Sequence, residues 1–362
     1  MKAAQSEDST SAGRHRNDPN DAGVASDRVQ ARGKWRDAAS ALSFSKISGI
    51  YVWIALIALF SVWIPDIFLT KTTWIDIAGS QAVTGIITLG LLLPLAAGAY
   101  DLSIGSVVGI SAVISSTLVH NGMDSTTAIG LALLAGLAIG MINATLIVGV
   151  GINSLIATLG MSSILIGLIA AISNNQQIIG LSNGFENIGI AEPLGIPIPV
   201  FYFAALAILG WYLFEHTPFG RYLHAIGGGQ EAARLAGIKT KSYQAIALVL
   251  CSLMAAFAGV VVTAKLGVGS PDVGNAYLLP AFAAAFLGAT QIKPGRFNVW
   301  GTVIAVYLLA TGVKGLQLAG AAYWVTELFN GAVLIIAVGL SQFEGRLSWR
   351  RSERRLRKRA AG

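Results

Sequence analysis

The chain has 362 residues, of which 54% are hydrophobic and only 12% are charged. Because soluble domains carry about 25% charged residues, this composition excludes an ordinary soluble enzyme or binding domain. The net charge of +7 comes from basic residues that lie between apolar segments and in the tails, so we expect no nucleic-acid partner. The single cysteine, Cys251, excludes an intrachain disulfide, and the four histidines lack metal-ligand spacing. We therefore expect neither a metal site nor a cofactor.

Residues 1–46 are polar and lack hydrophobic periodicity, which predicts a disordered N-terminal tail. Apolar segments follow, and a helix needs about 20 such residues to cross the hydrocarbon core of a bilayer. The predicted spans are residues 47–64, 75–97, 102–119, 126–149, 154–173, 198–214, 243–264, 277–289, 297–313 and 323–341. The sequence therefore predicts an all-α polytopic membrane protein with about ten transmembrane helices over residues 47–341.

The positions of Lys and Arg indicate how these spans are oriented. With the N-terminus inside, cytoplasmic segments hold 22 of the 25 basic residues, as the positive-inside rule requires. Both termini and the loop at residues 215–242 are then cytoplasmic. Residues 342–362 form a strongly basic cytoplasmic tail, which we expect to bind anionic membrane lipid.

A polar stretch at residues 220–238 interrupts the apolar chain. The three glycines at residues 227–229 are expected to release the chain from regular structure. Residues 230–236 favour a short helix, and Gly237 stands where helices commonly end in the left-handed conformation.

The composition of this short predicted helix suits a docking element. Glu231 lies near its start and Arg234 near its end, as the helix dipole prefers. Ala232, Ala233 and Ala236 are small enough for a partner surface to approach closely. A helix of two turns is marginal in water, so it needs a surface that holds it. The alternative is a solvated linker between two membrane helices.

The sequence contains no combination of residues that indicates catalysis. It lacks a phosphate-binding Gly-rich loop with Lys, a His-Glu-x-x-His motif and a Gly-x-Ser-x-Gly elbow. No catalytic residue is therefore predicted. If ATP drives the protein's activity, another polypeptide must supply the ATP site.

The strongest signal inside the apolar region is the sequence Gly-Ala-Tyr-Asp-Leu-Ser-Ile-Gly at residues 98–105. Pro94 and Gly98 weaken the end of one helix, and Asp101 can cap the start of the next by accepting from its free amides. Non-helical backbone between apolar spans is allowed where protein or water covers it. The alternative is a tight cytoplasmic turn with an Asp cap.

Both stretches resemble the ribose-type permeases of ATP-binding cassette (ABC) importers, in the branched-chain amino acid/ribose permease superfamily. The sequence Gly-Arg-Tyr-Leu-His-Ala-Ile-Gly-Gly at residues 220–228, followed by Glu-Ala-Ala-Arg-Leu-Ala-Gly-Ile at residues 231–238, is similar to their cytoplasmic coupling loop. Asp-Leu-Ser-Ile-Gly at residues 101–105 is similar to their Asp-Leu-Ser-Val-Gly signature. Further matches extend the resemblance from about residue 75 to residue 340. It implies a type II ABC importer permease fold.

The resemblance implies that the short helix docks in a groove on the ATPase subunit. The implied coupling residues are Gly220, Arg221, Gly227, Glu231, Ala232, Ala233, Arg234 and Gly237. Polar residues in apolar segments are candidates for the translocation pathway, with interhelical hydrogen bonding as the alternative. These candidates are Asp101, Ser103, Asn143, Asn153 and Thr158.

The family resemblance further implies a permease that imports a monosaccharide, such as ribose or xylose, across the inner membrane. Its implied partners are an ATPase subunit, a periplasmic solute-binding protein and a second permease subunit that is either a copy or a different chain. One departure leaves the solute open: sugar-specific members often carry acidic residues before the eighth helix, where this chain has Asn-Ala-Tyr-Leu-Leu-Pro-Ala-Phe at residues 275–282.

The main alternative is a secondary transporter or channel that an ion gradient drives. Such proteins place ionisable residues inside their spans. Apart from Asp101 and Glu327, both near span ends, almost none is found here. The short helix at residues 230–236 also has no role in that mechanism. A membrane-embedded enzyme is a third option, and it lacks a plausible acid, base or nucleophile cluster.

Overall fold

The structure, a computed structural model, describes residues 48–322 and 324–339. The N-terminal tail and the basic C-terminal tail that the sequence predicts lie outside these residues. The described part is helical, and its one isolated β-bridge joins Ile178 to Gly269.

The first half of the described chain contains six α-helices and a π-helical turn. They are α1 (Ser48–Trp63), α2 (Pro65–Phe68), α3 (Lys71–Ala96), α4 (Ile104–His120), α5 (Ser125–Ala144), the π-helical turn Thr145–Val150 and α6 (Ser154–Ser173). The turn continues α5, so that one helical segment extends over Ser125–Val150.

The second half contains eight α-helices and a short 3-10 turn at Pro193–Gly195. The helices are α7 (Asn183–Ile190), α8 (Ile198–His216), α9 (Pro218–Gly228), α10 (Gln230–Leu235), α11 (Thr240–Leu266), α12 (Asn275–Ala289), α13 (Val299–Leu318) and α14 (Trp324–Gly339).

Ten of these helices lie where the sequence predicts membrane spans. Six are long and apolar enough to cross a bilayer: α3, α5 with its π-helical turn, α6, α8, α11 and α13. Four are shorter apolar helices: α1, α4, α12 and α14. The prediction of an all-α polytopic membrane protein is confirmed.

Helix α11 lies at the centre of the bundle and packs against α3, α4 and α5. Small residues permit these close contacts, as they do in other membrane bundles. A Cβ atom added to Gly140 of α5 would lie 3.0 Å from the Cβ of Ser252 on α11, and one added to Gly259 of α11 would lie 3.0 Å from the Cβ of Ser111 on α4. Gly136 and Gly140, one turn apart on α5, both lie against α11. Cys251 is fully buried on α11.

Candidate functional site: the coupling segment and the break between α3 and α4

Helix α9 leads from the membrane helix α8 to the short helix α10. Its glycines do not all interrupt the helix, because Gly227 and Gly228 are helical and only Gly229 breaks it. The expectation that all three residues leave regular structure is therefore wrong. Gly229 has φ 167, an extended conformation that separates α9 from α10.

Two glycines of α9 are required by packing. Gly220 is buried, and a Cβ atom there would lie 2.6 Å from the carbonyl carbon of Phe214 on α8. A Cβ on Gly227 would lie 3.1 Å from the carbonyl carbon of Ala96 and 3.3 Å from the amide nitrogen of Gly98. The end of α9 thus rests directly on the end of α3.

Helix α10 presents a small apolar surface. Ala233 is buried, whereas Ala232 is exposed and Leu235 is 84% exposed. Glu231 in the first turn and Arg234 in the last form an ion pair across one helical turn, at 2.7 Å. Because both side chains of this pair are exposed, it contributes little to stability.

Gly237 ends this helix in the conformation that the sequence predicts. Its φ is +84, its amide donates to the carbonyl of Arg234 at 3.0 Å, and the amide of Ile238 donates to the carbonyl of Ala233 at 3.1 Å. These two bonds form a Schellman motif. The exposed face of α10 is therefore held by its own C-terminal cap and by Ala233 beneath it.

Arg221 of α9 lines a small cavity of about 130 Å³, together with Lys293 and Arg296. Both ring nitrogens of His224 lie within hydrogen-bond distance of carbonyl oxygens, with Nδ1 at 2.8 Å from Gly220 and Nε2 at 2.9 Å from Phe297. His224 therefore ties α9 to the segment that precedes α13. Lys293 forms an ion pair with Glu215 at the end of α8.

Helix α3 ends in a second Schellman motif, which turns the chain away before α4 begins. Gly98 has φ +74, its amide donates to the carbonyl of Leu95 at 3.0 Å, and the amide of Ala99 donates to the carbonyl of Pro94 at 2.9 Å. Residues 97–103 then form a break between two helices, which is the irregular backbone that the sequence predicts. The break is partly buried, since Gly98 and Tyr100 are exposed.

Asp101 is fully buried at the centre of this break. Its Oδ1 accepts from the amide of Ser103 at 3.0 Å and from the hydroxyl of Ser103 at 2.6 Å. The side-chain amide of Asn143 on α5 donates to the same hydroxyl at 2.9 Å. Asp101 therefore accepts from Ser103, the residue before α4, and not from an amide of the first turn, so the expected cap of that turn is not formed. These bonds join three of the predicted pathway residues, Asp101, Ser103 and Asn143, into one network.

Some atoms of this network have no hydrogen-bond partner among the described residues. They are Oδ2 of Asp101 and Oδ1 of Asn143. The thiol of Cys251 lies beside the Asp101 carboxyl. Because buried polar atoms need partners, these two oxygens leave the network incompletely satisfied.

The first turn of α6 holds the break from its other side. The hydroxyl of Ser154 accepts from the amide of Tyr100 at 3.2 Å, and the hydroxyl of Thr158 accepts from the amide of Leu102 at 3.1 Å. Asn153 is exposed, and its side chain caps α6 by accepting from the amide of Leu155 at 3.0 Å. Asn153 therefore lies apart from the buried network.

Sequence reasoning missed three residues of this site. Ser154 lies within a stretch that resembles the family, and its contact with Tyr100 became visible only in three dimensions. Cys251 carries no functional signal in the sequence, and its thiol lies beside the carboxyl of Asp101. Leu235 was detectable, since it is a large apolar residue in a polar stretch.

Comparisons with known proteins place the chain in a family. Residues 73–338 match the family described as branched-chain amino acid transport system / permease component. The chain is 31% identical over 292 residues to the ribose import permease protein of Escherichia coli (strain K12), covering 79% of this chain and 90% of that protein. It is 29% identical over 303 residues to the D-allose transport system permease protein of the same strain, covering 83% and 93%.

A third relative carries a different cargo name. The autoinducer 2 import system permease protein of Enterobacter sp. (strain 638) is 32% identical over 264 residues, which cover 70% of this chain and 80% of that protein. No solved structure matches the chain. The fold and these relatives define a multi-pass membrane permease. The chain belongs to the branched-chain amino acid transport system permease component family, and its ribose-type resemblance is confirmed.

Proposed function

We propose that this chain is the permease subunit of an ABC importer that moves a monosaccharide-type solute across the inner membrane. The relatives named for ribose and D-allose support this cargo class, because the chain covers at least 90% of each of those permeases. The chain itself performs no covalent chemistry. A separate ATPase subunit hydrolyses ATP.

The observation that carries the proposal is the position of α10. It exposes Leu235 and Ala232 and is joined through α9 to the break between α3 and α4. An exposed leucine on a capped helix suits a groove on a partner protein, since burying it gives about 1.5–3 kcal/mol. We propose that this partner is the ATPase.

The same contacts suggest how the ATPase drives transport. Closure of the ATPase pair displaces α10 and α9, and Gly227 transmits the displacement to the carbonyl of Ala96 and the amide of Gly98. The ends of α3 and α4 then move relative to the network around Asp101. ATP thus favours one of two states of the whole transporter, because it binds the ATPase pair more tightly in that state.

The proposed orientation places both termini and α10 in the cytoplasm. His224 joins α9 to the segment that contains Lys293 and Arg296, so these cations lie at the same end of the bundle as α10. Lys314, assigned outside, pairs with Asp76 near the start of α3. The outside loops receive a periplasmic solute-binding protein. A second permease subunit completes the complex.

Uptake into vesicles tests this function against the secondary-transporter alternative. The complete transporter is reconstituted in proteoliposomes with its solute-binding protein and supplied with radiolabelled D-ribose, D-xylose or D-allose. We expect uptake of at least one sugar to require ATP and to persist when proton and sodium gradients are collapsed. Uptake that follows either gradient without ATP would contradict the proposal.

A further inference from the structure

A cavity of about 290 Å³ lies between α3, α12, α13 and α14. It is far from the coupling segment, since it lies near the start of α3, the start of α12 and the end of α13. These ends face outward in the proposed orientation. Small-molecule pockets measure about 300–1,000 Å³, so this cavity suits a molecule at the small end of that range.

The wall of the cavity carries polar side chains among apolar ones. Thr84 on α3 is 5% exposed and Asn330 on α14 is 7% exposed. Their side chains, and those of Gln81 and Tyr277, find no hydrogen-bond partner within residues 48–322 and 324–339. These four side chains line the cavity, so they are available to hydrogen-bond a polar occupant.

The backbone of α12 supplies a further acceptor. Pro280 lies inside this helix and has no amide N–H, so the carbonyl of Ala276 lacks its usual helical donor. Both residues line the cavity. The wall therefore offers the carbonyl of Ala276 as an acceptor. The side-chain amide and hydroxyl groups beside it can both donate to and accept from the hydroxyls of a ligand.

The charge of the wall limits the chemical class of the occupant. Glu327 is the one charged residue among the described residues that line the cavity. With no cation at the wall, a phosphorylated or carboxylated molecule would meet an unbalanced negative charge. A carboxylate accepts several hydrogen bonds, which favours a molecule with neighbouring hydroxyl groups.

We propose that this cavity is the resting site of the solute inside the chain, and that it takes a neutral polyhydroxylated molecule of monosaccharide size. This inference rests on the proposed import of sugar and adds its location and selectivity. Thr84, Tyr277, Asn330 and Glu327 contact the solute. A site with only four contacting side chains binds its solute weakly, and weak binding suits a solute that must leave the site again.

The first test compares two buried threonines on α3 in the reconstituted transporter. Thr84→Val removes an unpaired hydroxyl at the cavity. Thr88→Val is the matched control, because its hydroxyl donates to the carbonyl of Thr84 within the helix at 2.6 Å. We expect Thr84→Val to lower ATP-dependent uptake about fivefold, as the loss of one hydrogen bond implies, and Thr84→Val with Asn330→Leu to lower it further.

The second test measures access to the cavity and does not depend on transport rate. Cys251 is the chain's one cysteine and is buried, so an introduced cysteine is labelled against a low background. In the complete transporter, Thr326→Cys should react with a membrane-impermeant methanethiosulfonate added outside. A neutral monosaccharide should slow this reaction, whereas ribose 5-phosphate should not. Leu328→Cys, on a 63% exposed residue of the same helix, should show no such protection.

The outcomes separate the inference from the function on which it rests. If the wild-type transporter imports sugar at the same rate as the double variant that carries Thr84→Val and Asn330→Leu, that result refutes the site while the function stands. Absence of labelling at Thr326→Cys, or labelling that none of the imported sugars slows, also refutes the site. If the wild-type transporter imports no neutral sugar, the proposed function fails and the site fails with it.

Discussion

Gly227 offers the sharpest test of the coupling route, because the next residue supplies its control. A Cβ at Gly227 would lie 3.1 Å from the carbonyl carbon of Ala96 and 3.3 Å from the amide of Gly98, whereas a Cβ at Gly228 would meet nothing within 4 Å. Both glycines are helical. Gly227→Ala therefore forces α9 away from the end of α3, while Gly228→Ala fits.

The magnitude follows from the contacts that the new methyl group meets. Its neighbours are backbone atoms of a capped helix end, which cannot rotate away. Overpacking of this kind costs about 1–3 kcal/mol, and about 2 kcal/mol shifts an equilibrium about 30-fold. Alanine also improves the helix by about 1 kcal/mol at either position, so the difference between the two variants isolates the steric effect.

The assay is ATP-dependent uptake in proteoliposomes, together with the ATPase activity that the loaded binding protein stimulates. We expect Gly227→Ala to reduce uptake at least tenfold while the ATPase subunit stays bound. Gly228→Ala should remain within twofold of the wild type. Equal uptake by the two variants would refute a coupling route through Gly227.

Two further predictions concern Asp101 and Gly237. Asp101→Ala removes the acceptor of two hydrogen bonds from Ser103 and should destabilise the permease by about 1–3 kcal/mol, whereas Asp101→Asn keeps an acceptor oxygen. Thermal unfolding in detergent measures this difference, and equal melting temperatures of the two variants would contradict a stabilising role for these bonds. Gly237→Ala should cost about 1–2 kcal/mol, because φ is +84 and alanine is strained there. Gly237→Ala should therefore weaken binding of the ATPase subunit, and Gly237→Asn should restore most of that binding because asparagine tolerates positive φ. Failure of the asparagine variant to bind would show that something other than φ requires glycine.

Features set by local sequence could be predicted. The spans followed from runs of apolar residues, and the left-handed end of α10 followed from one glycine after a short helical pattern. A turn bonded by Asp101 was also local, since its partner Ser103 lies two residues further on, although this turn ends before the first turn of α4. In each case the determining residues are neighbours in the chain.

Features set by contacts between distant segments could not be predicted. Gly227 was expected to break a helix, yet it is needed because Ala96, more than a hundred residues earlier, lies against it. The network of Asp101 with Asn143 joins two helices whose register the sequence does not state. The cavity depends on four helices, and only Pro280 inside an apolar run gave a local signal of irregular backbone.

The most direct test of the account is mass spectrometry of what co-purifies with the protein from its own host's membranes after mild extraction. We expect an ATP-binding cassette ATPase with the wild-type chain. With Leu235→Ser, whose side chain is 84% exposed in the chain alone, the permease should remain folded while recovery of the ATPase falls at least tenfold, since burial of a leucine is worth about 1.5–3 kcal/mol. Absence of an ATPase from the wild-type complex, with uptake that follows a proton or sodium gradient, would contradict the account.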